Sequence, residues 1–202
     1  MYPNIYNSER IDLVKHLRNK SLPRQELVNH YNKHKSSQAN QHPSHAYIET
    51  ITICNYACKS CPQGHDEQKN IYIGKLRGTN IMSMNNFRDW TDQLISQSIH
   101  SIALYNTNEP LLDPMIFRRL EYLSDKNLDD ILLMSNGLLM DSSNADRFLS
   151  SSLTKMCFSI DAATSKTYDK VRPLANTQTY SSELESRFDY VVDNIKQFAA
   201  KA

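Results

Sequence analysis

The sequence predicts an α/β fold built on a parallel β-sheet. Three observations predict it: short β-branched runs alternate with amphipathic segments, helix-capping residues precede most of those segments, and chemically reactive residues follow the runs. Strands that alternate with helices pair in parallel through right-handed crossovers. The carboxyl ends of such strands meet on one edge of the sheet, where α/β proteins place their functional residues.

The first 45 residues are predicted to form a helical N-terminal extension and a polar linker. Residues 10–35 favour two short helices, and the run from Lys33 to His45 is polar and contains a proline. Residues 46–202 are predicted to form the α/β domain, in which the cysteine-rich segment is followed by a long polar loop through Gly78.

Four strands are predicted in this domain, because short runs rich in apolar and β-branched residues recur between turn signals. The predicted strands are Ala46–Ile53, His100–Tyr105, Asp130–Ser135 and Lys155–Asp161. The first helix is predicted to run from an N-cap at Ser83 to about Ser96, with its apolar face turned inward. That face comprises Met84, Phe87, Trp90 and Leu94.

The later helices are predicted from their start signals. Asp113 followed by Pro114 marks the start of the second helix, and Ser142 or Ser143 is expected to cap the third. The fourth is predicted over Ser165–Val171, and the last is predicted to begin at a capping box. The box pairs Ser182 with Glu185, and the helix is expected to bury Leu184, Phe188, Val192, Ile195 and Phe198.

Composition narrows the class of function. The formal net charge is +1, which gives no field to attract nucleic acid or an anionic membrane. No run approaches the roughly 20 apolar residues of a membrane span, and no secretory signal begins the chain, so a cytoplasmic protein with reduced thiols is expected. The four glycines form neither a Rossmann fingerprint nor a P-loop.

Three cysteines follow the first predicted strand with the spacing Cys54-x3-Cys58-x2-Cys61. Three thiolates on one loop can bind three irons of a 4Fe-4S cube and leave the fourth iron open to a cofactor. Two alternatives stay open: a non-catalytic zinc-binding interaction module with His65 as fourth ligand, and a loop without metal. The fourth cysteine, Cys157, is predicted to be a small core residue.

This cysteine spacing after a first strand resembles the cluster loop of the radical SAM superfamily. Most members have an aromatic residue where this chain has Ser60. That departure is common in the branch with a C-terminal SPASM extension. Three further segments, each after a predicted strand, resemble the family's Gly-Gly-Glu-Pro, Thr-Asn-Gly and Ser-Leu-Asp motifs. They are Asn108-Glu109-Pro110, Ser135-Asn136-Gly137 and Ser159-Ile160-Asp161, and the resemblance ends near Arg172.

The resemblance implies a binding site for S-adenosylmethionine (SAM). Glu109 would hold the amino group of the methionine moiety, an anionic acceptor beside an ammonium. Ser135 and Ser159 would lie near the ribose or the carboxylate, and Arg172 would pair with a carboxylate. Asn136 and Asp161 complete the predicted cofactor-binding set.

The same resemblance implies reductive cleavage of SAM to a 5′-deoxyadenosyl radical that abstracts hydrogen from a peptide, protein or small-molecule substrate. Ferredoxin or flavodoxin is the expected electron donor. Because the family core has six βα units and four are predicted here, the chain is expected to form a partial (βα) barrel, truncated at its C-terminal end. A remnant that folds without activity is the remaining alternative.

Overall fold

The structure is a computed structural model, and it describes residues 25–26, 29, 43–62, 64–66, 71–72, 80–175 and 186–202. The chain divides into two units, residues 1–42 and residues 43–202. The predicted N-terminal helices lie outside the described residues, except for Gln25, Glu26 and Asn29, which are helical. The predicted capping box and Leu184 also lie outside them. No helix among the described residues is long and apolar enough to span a membrane.

The described part of residues 43–202 contains six short strands and five α-helices. The strands are β1 (His45–Tyr47), β2 (His65–Asp66), β3 (Ile71–Tyr72), β4 (Ser101–Ala103), β5 (Asp130–Ser135) and β6 (Lys155–Phe158). The helices are α1 (Met84–Ser96), α2 (Ile116–Ser124), α3 (Ser142–Leu149), α4 (Ser165–Val171) and α5 (Arg187–Lys201). A 3₁₀ turn, Pro110–Leu112, precedes α2.

Strands β1, β4, β5 and β6 form one parallel sheet in that order, which confirms the predicted α/β class. Ile102 fixes the register, since it lies between Ala46 of β1 and Ile131 of β5. Spatial order follows chain order, and helices alternate with the strands, as in part of a parallel (βα) barrel. The separate antiparallel pair β2–β3 lies in a segment predicted to be a loop.

The first predicted strand is too long. β1 ends at Tyr47, after which Ile48 N–H still donates to the Ala103 carbonyl at 2.8 Å. Beyond this point the chain changes partner: Ile51 forms an antiparallel bridge with Ile81, in the segment that leads into α1. A β-rich run that pairs with two different segments cannot remain one strand of the sheet.

The strand before α4 is also shorter than predicted. β6 ends at Phe158, and the Ser159 N–H makes one further bond to the Ser135 carbonyl at 2.9 Å. Asp161 then adopts a φ of +57°, a left-handed conformation that turns the chain away from the sheet.

Helix starts depend on which polar side chain reaches a free N–H. Ser83 caps α1 as predicted, accepting from Asn86 N at 3.1 Å. The cap of α3 is Asp141, because its Oδ1 accepts from Asn144 N at 2.7 Å, so the prediction of Ser142 or Ser143 is wrong. The α2 helix begins at Ile116, later than Asp113-Pro114 predicted, because residues 113–115 form a turn in which Met115 N–H donates to Asp113 Oδ1 at 2.9 Å.

Two residues that were predicted to be buried, Trp90 and Val192, are not. Trp90 of α1 is 54% exposed, and Thr91, one residue on, is buried in its place. In α5, Val191 is fully buried and Val192 only half-buried. The other described inward positions still pack against the core, since Thr91 follows Phe87 by four residues and Val191 follows Phe188 by three, the spacings of one helix face.

The core lies between the sheet and its helices. Its centre is made of fully buried side chains from β4, β5, α1 and α2, among them Ile102, Leu133, Phe87 and Leu120. A second, smaller cluster lies beneath the cysteine-rich loop and includes Tyr56, Cys58, Tyr168 and Val191. Packing therefore fixes the loop at the carboxyl edge of the sheet.

Candidate functional site

The cysteine-rich loop, residues 54–64, follows the first strand and is folded by two successive turns. Cys61 N–H donates to the Cys58 carbonyl at 3.1 Å, and Gly64 N–H donates to the Cys61 carbonyl at 2.8 Å. A Cβ at Gly64 would lie 1.9 Å from the Cys58 carbonyl oxygen, so the loop closes this tightly only because residue 64 lacks a side chain. All four cysteines of the chain are free of disulfides.

Burial raises the pKa of two of the loop thiols. The pKa of Cys54 rises to about 12 because of burial and the nearby charge of Glu109, although Tyr56 N–H donates to its sulfur at 3.5 Å. Burial also raises the pKa of Cys58, and the charge of the Arg172 guanidinium opposes that rise. Both thiols therefore hold their protons in the metal-free chain, and metal binding has to expel them.

An antiparallel strap formed by residues 171–175 holds the loop from one side. It begins at Val171, the last residue of α4, and its Leu174 forms an antiparallel bridge with Tyr56. Its backbone bonds are Ala57 N to Pro173 O at 2.8 Å, Lys59 N to Val171 O at 3.1 Å, and Ala175 N to Asn55 O at 3.0 Å. The loop geometry therefore depends on the chain segment that follows the fourth strand of the parallel sheet.

Glu109 lies in the segment that follows β4 and is hydrogen-bonded to residues at the carboxyl end of β5. Its Oε1 accepts from Ser135 Oγ at 2.9 Å and from Leu111 N at 3.1 Å, and its Oε2 accepts from Asn136 N at 2.8 Å. Its own N–H donates to the Ile53 carbonyl at 3.0 Å, next to the first cysteine. The residue is 1% exposed, and this burial raises the pKa of the carboxyl against the opposing effect of its hydrogen bonds.

Asn136 links this carboxylate to the cysteine-rich loop. Its Nδ2 donates to Asn55 Oδ1 at 2.5 Å, and both residues are buried. Its Oδ1 accepts from Leu138 N at 3.0 Å, across Gly137, whose φ of +79° is left-handed. The predicted Ser-Asn-Gly turn is therefore a hydrogen-bonded connection between β5 and the loop.

Arg172 organises the other predicted residues. Its Nη1 donates to the Ser159 carbonyl and to Asp161 Oδ2, the latter at 3.1 Å. The side chain is 6% exposed, and its guanidinium lies 5.4 Å from the centre of the Tyr56 ring and 5.8 Å from that of Tyr168. Ser159 enters this group through its backbone carbonyl.

The predicted site residues thus fall into two hydrogen-bonded groups on either side of the cysteine-rich loop. One joins Glu109, Ser135 and Asn136, and the other joins Ser159, Asp161 and Arg172. Burial raises the pKa of Glu109, and the charge of Arg172 in the other group is among the influences that oppose this rise.

Sequence reasoning missed Asn55 and Gly64. Asn55 is fully buried between the first two cysteines and anchors both the strap and Asn136. Its polar side chain inside a cysteine motif gives no periodic signal. Gly64 did have a signal, since a glycine three residues after the last cysteine of a tight loop favours a close backbone approach.

The zinc alternative requires four ligands that converge on one ion. Among the described residues, no three His, Cys, Asp or Glu side chains are grouped to hold a single metal ion. The backbone of His65 lies in β2, opposite Tyr72, and its side chain lies outside what the structure describes. A cube needs less convergence, because its thiolates bind separate irons. Cys157 is half-buried in β6.

The solved structures that are similar to this chain include the following three. BtrN in complex with AdoMet and 2-DOIA shares 16% identity with a TM-score of 0.51, covering 65% of this chain and 51% of its own. SuiB of Streptococcus suis bound to precursor peptide SuiA shares 15% identity with a TM-score of 0.58, and the match covers 95% of this chain and 42% of SuiB. Native anSMEcpe with bound AdoMet shares 20% identity with a TM-score of 0.57, covering 78% and 42%.

The chain therefore spans about half or less of the length of these structures, and at such identities they show a shared fold. No curated protein sequence matches it significantly. The sequence model of the radical SAM superfamily, whose members use a 4Fe-4S cluster and SAM, matches residues 48–198, which include the cysteine-rich loop, the carboxyl ends of β4, β5 and β6, and Arg172. On this match, the chain belongs to the radical SAM superfamily.

Proposed function

We propose that Cys54, Cys58 and Cys61 hold a 4Fe-4S cluster and that the chain uses it to cleave SAM reductively. The observation that carries this proposal is the 2.5 Å bond between Asn136 and Asn55, which ties the cysteine-rich loop to the buried carboxylate of Glu109. One rigid network therefore joins the metal-binding thiols to a group able to bind an ammonium. Such a connection is what a cofactor bound jointly by metal and protein requires.

The donor set fits the cluster. Three thiols free of disulfides lie on one loop, and thiolates are the ligands of iron–sulfur clusters. The loop leaves a fourth iron without a protein ligand from this motif. Gly64 and the strap hold the loop in place before any metal binds, so little chain ordering opposes assembly.

Considering hydrogen bonds from the described residues, the Glu109 carboxylate has one acceptor position left. An ionised carboxylate accepts about four hydrogen bonds. Oε1 accepts two bonds, from Ser135 and Leu111, whereas Oε2 accepts one, from Asn136. The adjacent Asn108 has a buried Nδ2 with no hydrogen-bond partner among the described residues. We propose that the amino group of SAM occupies the free position on Oε2 and that Asn108 donates to another polar atom of SAM.

The second group of residues serves the other end of the amino acid moiety. We propose that Arg172 pairs with the SAM carboxylate through a guanidinium N–H that Ser159 and Asp161 do not use, an interaction of the charge-assisted kind. Ser135 positions Glu109 by its hydroxyl hydrogen bond.

A cluster held by Cys54, Cys58 and Cys61 would supply the electron for reductive cleavage of SAM to methionine and a 5′-deoxyadenosyl radical, the species that would abstract hydrogen from the substrate. The residues of this chain orient SAM and keep water from the site, since Asn55, Glu109 and Ser135 are buried. A peptide substrate is the leading proposal, supported by the fold shared with SuiB bound to peptide SuiA. We place the protein in the cytoplasm, with ferredoxin or flavodoxin as electron donor.

Anaerobic reconstitution with iron and sulfide tests the proposal. We expect four irons and four sulfides per chain, the electron paramagnetic resonance signal of a reduced cluster, and 5′-deoxyadenosine after addition of SAM and dithionite. Cys58→Ala should lose all three signals, whereas Cys157→Ala, a matched control outside the loop, should keep them. One zinc per chain without sulfide, or loss of iron in both variants, would contradict the proposal.

A further inference from the structure

We propose that Arg172, a residue of the strap, faces the sulfur of Cys58 and sets the reduction potential of the cluster. This inference rests on the proposed function, because it concerns a cluster held by Cys58. It gives Arg172 an effect on the reduction potential of the cluster, in addition to its proposed contact with SAM. Arg172 is here a positioning residue that acts through a ligand.

The register of the strap places the two residues opposite each other. Backbone bonds join Asn55 with Ala175, Ala57 with Pro173, and Lys59 with Val171, so Cys58 is paired with Arg172. The bonds fall on the odd-numbered residues of the loop, which makes this a non-hydrogen-bonded antiparallel pair. In such pairs the Cα atoms are about 4.5 Å apart and the side chains lie on the same face.

Neighbouring contacts agree with that register. Tyr56, two residues before Cys58, shares its face, and the Arg172 guanidinium lies 5.4 Å from the Tyr56 ring centre. Tyr56 and Tyr168 bond through their hydroxyls at 3.1 Å and are both buried, which fixes the wall against which Arg172 packs. The cation therefore has few other rotamers available.

One donor of Arg172 is buried and unused. Its Nε has no hydrogen-bond partner among the described residues, although the residue is 5% exposed. An unpaired buried donor destabilises a fold, so a sulfur acceptor nearby would stabilise it. The Cys58 thiolate is the acceptor that the register supplies.

The sign of the effect follows from charge. Reduction adds one negative charge to the cluster, and a buried cation or a hydrogen bond to a ligand sulfur stabilises the more negative state. Asp161 offsets part of this charge, but its carboxylate is 51% exposed and hence screened by solvent. Arg172 therefore raises the potential and eases electron entry from the donor.

The first test measures the midpoint potential of the reconstituted chain by redox titration monitored by electron paramagnetic resonance. Arg172→Gln should lower it by about 59 mV, a tenfold change in the equilibrium constant of a one-electron couple. Arg172→Lys, which keeps the charge but not the planar fork, should lower it by less. Lys170→Gln, an exposed charge on the same segment, is the matched control and should leave it unchanged. Unchanged potentials in both Arg172 variants would overturn the inference.

If the Arg172→Gln variant binds no cluster, it gives no potential to measure. In that case Arg172→Lys decides: a lowered potential supports the inference and an unchanged potential overturns it.

The second test needs no cluster. In the metal-free chain, Arg172→Cys puts a thiol opposite Cys58, at a Cα separation within the disulfide range of about 4.4–6.8 Å. With oxidised glutathione we expect a disulfide between Cys58 and the introduced thiol, identified by peptide mass mapping. Leu174→Cys, on the same face of the strap but opposite Tyr56, is the control and should form far less of it.

Cross-linking to Cys54 or Cys61 in place of Cys58, or none, would overturn the proposed pairing. A wild-type chain that binds no cluster but whose Arg172→Cys variant cross-links to Cys58 would refute the proposed function and leave the pairing intact. A wild-type chain that binds a cluster while the pairing fails would refute this inference alone.

Discussion

Replacing Gly64 by alanine should disrupt the cysteine-rich loop more than any other single-methyl change in it. The new Cβ would lie 1.9 Å from the Cys58 carbonyl oxygen and 2.9 Å from the Cys61 carbonyl oxygen. Ordinary contact begins at 3.4 Å, so the backbone at Cys58 or Gly64 has to move by about 1.5 Å. Neither contacting atom is the flexible end of a side chain, so the movement falls on the loop that carries the ligands.

The expected magnitude follows from what that movement breaks. Overpacking of a tight site costs about 1–3 kcal/mol. The shift also weakens two backbone bonds, Cys61 N to Cys58 O at 3.1 Å and Gly64 N to Cys61 O at 2.8 Å. Each contributes about 0.5–1.5 kcal/mol. We therefore expect Gly64→Ala to lower the free energy of unfolding by about 2–6 kcal/mol, with the upper end reached if both bonds are lost.

Urea unfolding of the metal-free chain, followed by circular dichroism, measures this change, and iron content after reconstitution measures its effect on the site. Ser60→Ala is the matched control, because Ser60 is exposed on the same loop. It should change stability by less than about 0.5 kcal/mol and keep full iron content. If Gly64→Ala were as stable as wild type and bound equal iron, the steric argument for the loop would be refuted.

Two further predictions concern buried charges. Asp113 and Arg119 form a fully buried ion pair at 2.7 Å, so Asp113→Ala should lower the free energy of unfolding by about 3–5 kcal/mol in urea titrations. Asp113→Leu combined with Arg119→Met should recover most of that loss, and a double variant no better than the single would contradict the explanation. For Glu109, burial raises the folded-state pKa above its ordinary 4.5, so this group favours folding below pH 4.5 and loses that contribution as pH rises through the higher value. The stability of the wild type minus that of Glu109→Gln should therefore fall with rising pH in metal-free chains; a constant difference would refute it.

Local signals predicted the elements that depend on local interactions. The bounds of β5, α1 and α4 were predicted to within a residue, because each has a regular apolar pattern or a capping side chain beside it. The fold class followed from the alternation of strands and helices. The length of β1 could not be predicted, because Ile51 pairs with Ile81, thirty residues along the chain, and no local pattern indicates which partner such a residue takes.

Buried charge was also beyond sequence reasoning. Arg119 lies on the inner face of α2, where a charged residue is rarely found, and it is stable there because Asp113 and the Met82 carbonyl both accept its N–H groups. Those partners come from separate segments. In the site, the strand-end residues were predicted individually, whereas the strap that pairs residues 55–59 with 171–175 has no signal in either segment alone.

Together with Glu109, the strap gives the site opposite charges at its two ends. Its backbone register pairs Arg172 with Cys58, while Glu109, in the segment that follows β4, donates its N–H to the Ile53 carbonyl next to Cys54. The cysteine-rich loop therefore lies between a buried anion and a buried cation. The amino acid end of SAM carries an ammonium and a carboxylate, so its charges complement this arrangement in one orientation only. A ligand cation would also relieve the cost of ionising Glu109, which burial otherwise keeps protonated to higher pH. Binding of SAM and ionisation of Glu109 would then reinforce each other, which gives a physical reason for a carboxylate to remain in so dry a position.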